Sequence, residues 1–126
     1  LSVLVASLGH MDEIVLTDAG LPVPPGVQVI DLAVSAGVPG FFDVLAALQS
    51  ELIIEAAIYA SEADSTLRAR FQDSCAAWSA ETGKPIALSE LSHADFKTRT
   101  AQARAMIRTG ECTPYCNLIL VSGVPF

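Results

Sequence analysis

Ionisable side chains crowd one short stretch, Leu8 to Pro22, which reads LGHMDEIVLTDAGLP. His10 follows a glycine, Asp12 and Glu13 precede the apolar run Ile14-Val15-Leu16, and Asp18 follows it. An imidazole with an ordinary pKa of about 6.5 both gives and takes a proton near neutrality. In a loop between a helix and a strand it suits general acid–base work in a cleft, although a surface histidine leaves the same signature. Asp12 could orient that ring, as carboxylates do for working histidines. The bland alternative makes Asp12 and Glu13 solvated turn charges, and Glu13 is expected at the surface. Asp18 is the better ligand-binding candidate, because ligands of open α/β sheets sit beyond the carboxyl ends of strands.

Two further groups lie downstream. His93 and Lys97 are four residues apart, on one face of an expected helix whose N-terminus also offers free backbone N–H groups. They suit hydroxyls or an anion, or they form an ordinary solvated face. In GECTPYCN, Tyr115 and Asn117 flank Cys116. If that stretch is extended, phenol and carboxamide face one side together, and a carboxamide both donates to and accepts from a sugar hydroxyl. The alternative is a turn with a capping Asn and a packed Tyr. Cys112 and Cys116 lack the second pair that would complete a metal-ligand set. Asp18 as a magnesium-dependent phosphoacceptor would need a lysine after a strand, whereas Lys84 precedes one. P-loop, GxGxxG, GxSxG and HExxH signatures are missing.

The elements that must position these residues come from an acidic, apolar chain of 126 residues with net charge −7 and 52% hydrophobic residues. Its mean hydropathy is +0.48. The length fits one domain, residues 1–126, with a real core. Scattered basic residues on an acidic chain exclude a nucleic-acid partner. Prolines and charges interrupt every apolar window long enough to span a membrane. The apolar excess implies burial between subunits. Three cysteines with no framework spacing imply reduced thiols and a cytoplasmic home.

The spacing predicts a helix over Ser2–Leu8 stopped by Gly9, and strands over Glu13–Thr17 and Val27–Leu32. It then predicts a helix over Pro39–Gln49, a strand over Glu51–Tyr59 (helix being the alternative) and a helix over Glu62–Thr82 stopped by Gly83. A strand over Pro85–Leu91 follows. Ser92 and Asp95 form a capping-box pattern that opens a helix to about Arg108, stopped by Gly110, with Asp95 and Arg99 spaced to pair. A final strand covers Asn117–Ser122. Strands alternating with helices imply an α/β fold: one three-layer α/β/α domain around a largely parallel or mixed sheet.

Four stretches, LGHMDEIVLTDAGLPVP, IDLAVSAGVPGFFDVL, SHADFK and AMIRTGECTPYCNLILVSGVPF, together resemble the D-ribose pyranase and L-fucose mutarotase family. The likeness runs from Leu1 to Phe126, is weakest between Glu62 and Leu88, and is strongest to the ribose branch through DAGLP and H-x-x-F-K. It implies interconversion of β-D-ribopyranose and β-D-ribofuranose without a cofactor, supplying furanose for ribose catabolism. By the resemblance, His10 is the catalytic acid/base and Asp18, His93, Lys97, Tyr115 and Asn117 hold the sugar; Asp12 stays a candidate support for the histidine on the residue argument above. It also implies rings, commonly stacked into a decamer, with sites near subunit contacts. Members usually carry a further short segment before the helix ending at LGH, so the natural N-terminus is expected to be missing. Cys116 replaces a usual small residue, with little effect expected. The rival expectations are a fucose-type mutarotase, separable by comparing the two sugars, and a non-catalytic sugar-binding module, which would bind ribose without speeding exchange.

Overall fold

The computed structural model describes residues 1–126. The elements are α1 (Ser2–Ser7), β1 (Glu13–Thr17), β2 (Gln28–Asp31), α2 (Phe41–Gln49) and β3 (Ile54–Ala60). They continue with α3 (Ser65–Thr82), β4 (Ala87–Leu91), α4 (His93–Thr100), β5 (Ala105–Arg108) and β6 (Leu118–Ser122). The six strands form one sheet in the order β2-β5-β1-β6-β3-β4. It is mixed: β2, β5 and β1 are parallel, as are β3 and β4, and β6 runs antiparallel between β1 and β3.

Successive strand side chains point to opposite faces, and both faces of the central strands β5, β1, β6 and β3 are covered. Ile14, Leu16, Ala105, Ile107, Leu118 and Leu120 turn toward α1, α2 and α3, meeting Leu4, Phe41, Leu48, Phe71 and Trp78. Val15, Ile58, Met106 and Ile119 turn the other way, onto Phe96 of α4. The result is the expected three-layer α/β/α arrangement. Burying a side chain the size of Phe41 or Phe71 stabilises by about 1.5–3 kcal/mol. The Trp78 indole N–H donates to the Leu52 carbonyl at 3.0 Å, so its polar atom is satisfied inside the core.

The largest departure from the expected elements lies after Ser92. Ser92 does cap α4, accepting from the Asp95 N–H at 3.1 Å. But the helix ends at Thr100, and residues 105–108, expected to be helical, form β5. AQARAMIR is rich in helix formers, yet Ala105, Met106 and Ile107 gain both faces of the sheet by pairing with β1 and β2. Tertiary pairing overrides local propensity here. Nor does Arg99 pair with Asp95: it grips Glu13 with two hydrogen bonds, of 3.1 and 2.8 Å. Glu13, expected at the surface, is only 13% exposed in its side chain. At the N-terminus, α1 ends on an extended Leu8, and Met11 rather than Gly9 takes the left-handed conformation. Gly83 does stop α3, at φ 71°.

A distant carboxylate completes α2. Its cap residue Gly40 has no side chain to offer, and Glu111 accepts the Phe41 N–H at 3.0 Å and the Thr113 hydroxyl at 2.8 Å. Gly110 makes this approach possible. Its carbonyl accepts from Gly37 N–H and its N–H donates to the Pro39 carbonyl, and any Cβ there would collide with the Ser35 and Val38 carbonyls.

The Phe41 N–H, helped by Thr113 and opposed by burial, holds the Glu111 carboxyl below its ordinary value of 4.5. A depressed folded-state pKa contributes stability above the unfolded value and loses it as pH falls through the folded one. Glu111→Ala should therefore lower stability by about 1 kcal/mol at neutral pH, as loss of a helix cap does. Urea unfolding in acid, well below pH 4.5, should find wild type and variant closer together.

Candidate functional site

The carboxyl ends of the parallel strands gather most of the polar candidates. Asp18 follows β1, and Asn117 precedes the antiparallel β6, so both stand at the same edge of the sheet. The Asp18 N–H donates to Asn117 Oδ1 at 2.8 Å, and Asn117 Nδ2 donates to Asp18 Oδ2 at 3.3 Å. Asp18 Oδ1 accepts the N–H groups of Gly20 and Leu21, both at 2.9 Å, in an Asx-type turn. Arg108 of β5 steadies that turn, its Nε donating to the Ala19 carbonyl at 3.0 Å. The carboxylate is thus held from three directions while Oδ2 keeps acceptor capacity.

His93 opens α4, its N–H donating to the Glu62 carboxylate at 2.9 and 3.1 Å. Its ring stands edge-on to Tyr115, with centroids 5.0 Å apart at 81°. The buried Nδ1 has no partner in the protein. A polar atom in that state costs about 1–3 kcal/mol unless a group from outside the chain, water included, satisfies it. Asp18, His93, Tyr115 and Asn117, with Gly20, Leu21 and Pro22, line a pocket of about 190 Å³. Lys97, one turn further along α4, is exposed and does not line it.

Tyr115 and Asn117 share the pocket, but the reason differs from the expected extended segment. Tyr115 sits at φ 61°, and the Asn117 N–H folds back to its carbonyl at 2.9 Å. The left-handed region costs a bulky residue roughly 1–2 kcal/mol. Such strain persists only where the surroundings over-determine it, and it clusters at ligand clamps. Cys116 between them turns into the core. Burial first, and the Glu111 and Asp18 charges after it, push its thiol up, so it stays protonated and is a poor nucleophile or metal ligand.

His10 stands elsewhere. It precedes β1, at the opposite edge of the sheet, and five strand residues lie between it and Asp18. At roughly 3.3 Å per residue that is about 16 Å of strand. Its Nε2 is 3.0 Å from Glu55 Oε2 on β3. Asp12, the candidate support, does not meet the ring. It accepts the Gly9 N–H at 2.8 Å and pairs with Arg104 at 2.8 Å, holding the loop that carries His10. Glu55 was not singled out from sequence. Its signal is a lone carboxylate inside the apolar run LIIEAAIYA.

One edge of the chain therefore offers a fixed carboxylate, a carboxamide, an imidazole and a phenol around a small pocket, a donor–acceptor set that suits a polyhydroxylated ligand. The other edge offers an imidazole–carboxylate pair, which suits proton transfer.

The profile of the RbsD / FucU transport protein family matches residues 1–125. A D-ribose pyranase of Vibrio campbellii is 52% identical, over 98% of this chain and 91% of its own. A D-ribose pyranase of Paracidovorax citrulli is 50% identical, over 100% of this chain and 92% of its own. The solved structure of Bacillus subtilis RbsD complexed with D-ribose is similar at a TM-score of 0.84 and 45% identity, covering 99% of this chain and 92% of its own. A Streptococcus pneumoniae fucose mutarotase in complex with L-fucose shares the fold at a TM-score of 0.77 and 23% identity, covering 97% of this chain and 89% of its own.

The Asp18–Asn117 pair is testable without a ligand. Asn117→Asp sets a second carboxylate against Asp18 and removes the donor to it. Thermal or urea unfolding should show a loss of about 1–3 kcal/mol, the cost of an unmatched buried polar group.

Proposed function

This chain belongs to the RbsD / FucU transport protein family, and from that premise we propose that it catalyses exchange between the pyranose and furanose forms of D-ribose. It is an isomerase. The observation that carries the reading is the polar pocket of about 190 Å³ around Asp18 and Asn117 in a chain alike over its whole length to D-ribose pyranases. The forms exchanged are β-D-ribopyranose and β-D-ribofuranose.

Exchange passes through the open-chain aldehyde. Opening removes a proton from the anomeric hydroxyl and adds one to the ring oxygen as its bond to the anomeric carbon breaks. Closing from a different hydroxyl reverses both transfers. His10 serves as the acid and base of this reading. An Nε2–H donated to Glu55 leaves Nδ1 to take and return the proton. Asp18, His93, Tyr115 and Asn117 hold the remaining hydroxyls so that the alternative ring closes, and Lys97, outside the pocket of its own copy, is the remaining candidate ligand. Asp12 supports His10 at one remove, through the Gly9 N–H.

The separation of His10 from Asp18 along β1 supports a composite site. No pentose spans the length of β1, so His10 of one copy acts on sugar held by Asp18 of the next. Such an interface joins two different surfaces of the chain, and heterologous contacts that close make rings. Exposed Val3, Val34 and Val38 supply apolar surface for contacts between copies. The reading includes a ring-based homo-oligomer, with the decamer as its stacked form, and one domain over residues 1–126. It also includes a cytoplasmic location, supported by three free cysteines. No helix is long and apolar enough to cross a membrane.

NMR saturation transfer on D-ribose at equilibrium, with L-fucose for comparison, tests the reading. The protein should speed exchange between ribopyranose and ribofuranose signals. His10→Ala should lower that rate by roughly 10²–10⁴-fold, the usual worth of general acid–base catalysis. Asp18→Ala should be inactive as well. Mixing the two inactive variants under conditions that exchange subunits should restore activity, because some interfaces then pair an intact His10 with an intact Asp18. A mixture that stays inactive would refute the composite site.

The same assay weighs Glu55. Glu55→Gln should lower the rate about tenfold or more, part of the acid–base contribution, at unchanged unfolding midpoint. Glu55→Asp, which keeps a carboxylate, should retain more activity than the amide. Equal rates for all three proteins would remove Glu55 from the mechanism.

A further inference from the structure

We infer that Gly20 is a specificity-determining position: its missing side chain leaves open the space beside the Asp18 carboxylate in which the sugar changes ring size. The inference rests on reading this pocket as the sugar site.

The usual reasons for a glycine are missing at position 20. Gly26, Gly37 and Gly83 take positive φ, which favours glycine, and Gly20 does not. Gly110 lies against backbone carbonyls that a Cβ would strike, whereas a Cβ on Gly20 would meet only Asp18 Oδ1, at 3.9 Å. That is ordinary van der Waals contact. The Gly20 N–H donates to Asp18 Oδ1, and any residue except proline keeps that bond. Neither backbone conformation nor packing within the chain therefore requires glycine here.

What a side chain would change is the pocket. Gly20 lines it together with Asp18, His93, Tyr115 and Asn117. A side chain would start beside the carboxylate that the proposed reaction uses to hold a hydroxyl. It would take volume from a pocket of only about 190 Å³. The reaction needs that room more than simple binding does, because one site must accommodate both rings and the open chain between them. Position 20 thus sets the size of the sugar that fits over Asp18.

The series Gly20→Ala, Gly20→Val and Gly20→Phe tests this, read by thermal unfolding, by calorimetric titration with D-ribose and by saturation-transfer kinetics. Unfolding midpoints should stay at the wild-type value. The KM for D-ribose should rise stepwise, roughly tenfold by valine, in the range expected when pocket space changes by a methylene or two. Binding should be lost with phenylalanine, and binding of the shorter D-erythrose should fall less than that of D-ribose. Val and Phe variants that bind and exchange ribose like wild type would overturn the inference, leaving Gly20 an ordinary surface glycine. A fall in unfolding midpoint parallel to the lost activity would also overturn it, since Gly20 would then serve the fold. Wild-type protein that neither binds nor exchanges ribose would instead refute the pyranase reading itself.

Discussion

The carboxyl edge of the sheet depends on β6 entering antiparallel between β1 and β3. Its register sets Leu118 opposite Leu16, so the residue just before the strand, Asn117, arrives beside the end of β1 and bonds Asp18. A slip of one residue would turn Leu118 and Leu120 toward Phe96 and force Ile119 into the larger core. Because both faces are dry, that slip is penalised at every position of the strand. Close packing in the sheet interior is therefore what holds a carboxylate and a carboxamide in contact at its rim.

Charge pairs then tie the connections to this frame. Arg99 on α4 clasps Glu13 at the start of β1, Arg104 holds Asp12, and Arg108 joins Asp31 on β2. Pairs near the surface add little net stability, so the larger effect of these contacts is on position. Arg108 shows how: the same guanidinium that meets Asp31 also reaches the Ala19 carbonyl, fixing the turn from which Asp18 and Gly20 face the pocket. Asp12 does the corresponding work at the other edge, where it holds Gly9 next to His10.

The two edges carry different kinds of chemistry. One fixes hydrogen-bonding groups around a small pocket; the other sets an imidazole against a carboxylate at 3.0 Å. On the composite reading, neither is a complete site alone, and the apolar surface left on the monomer is what brings them together. The fold then imposes a requirement for assembly on the proposed activity, because a rigid strand keeps the two groups apart within each copy.

The sequence by itself determined the α/β class, the alternation of helices and strands up to Ser92, and the residue types available for chemistry. These signals are local: apolar periodicity, the Ser92 cap, and Gly83 in the left-handed conformation all act within a few residues. Asp18 was legible as a candidate binding residue because the end of a strand is a general position for ligands, and it does line the pocket there. Tertiary structure alone decided the rest. It made 105–108 a strand rather than the end of a helix, because only pairing between β1 and β2 rewards burying Met106 and Ile107 on opposite faces. It gave Arg99 to Glu13, 86 residues away, over its helical neighbour Asp95. It gave His10 to Glu55 over nearby Asp12, because β3 lies parallel to β1 across β6 and starts at the same edge. And it separated His10 from Asp18, which are close in sequence, because an extended strand between two residues is the conformation that holds them farthest apart.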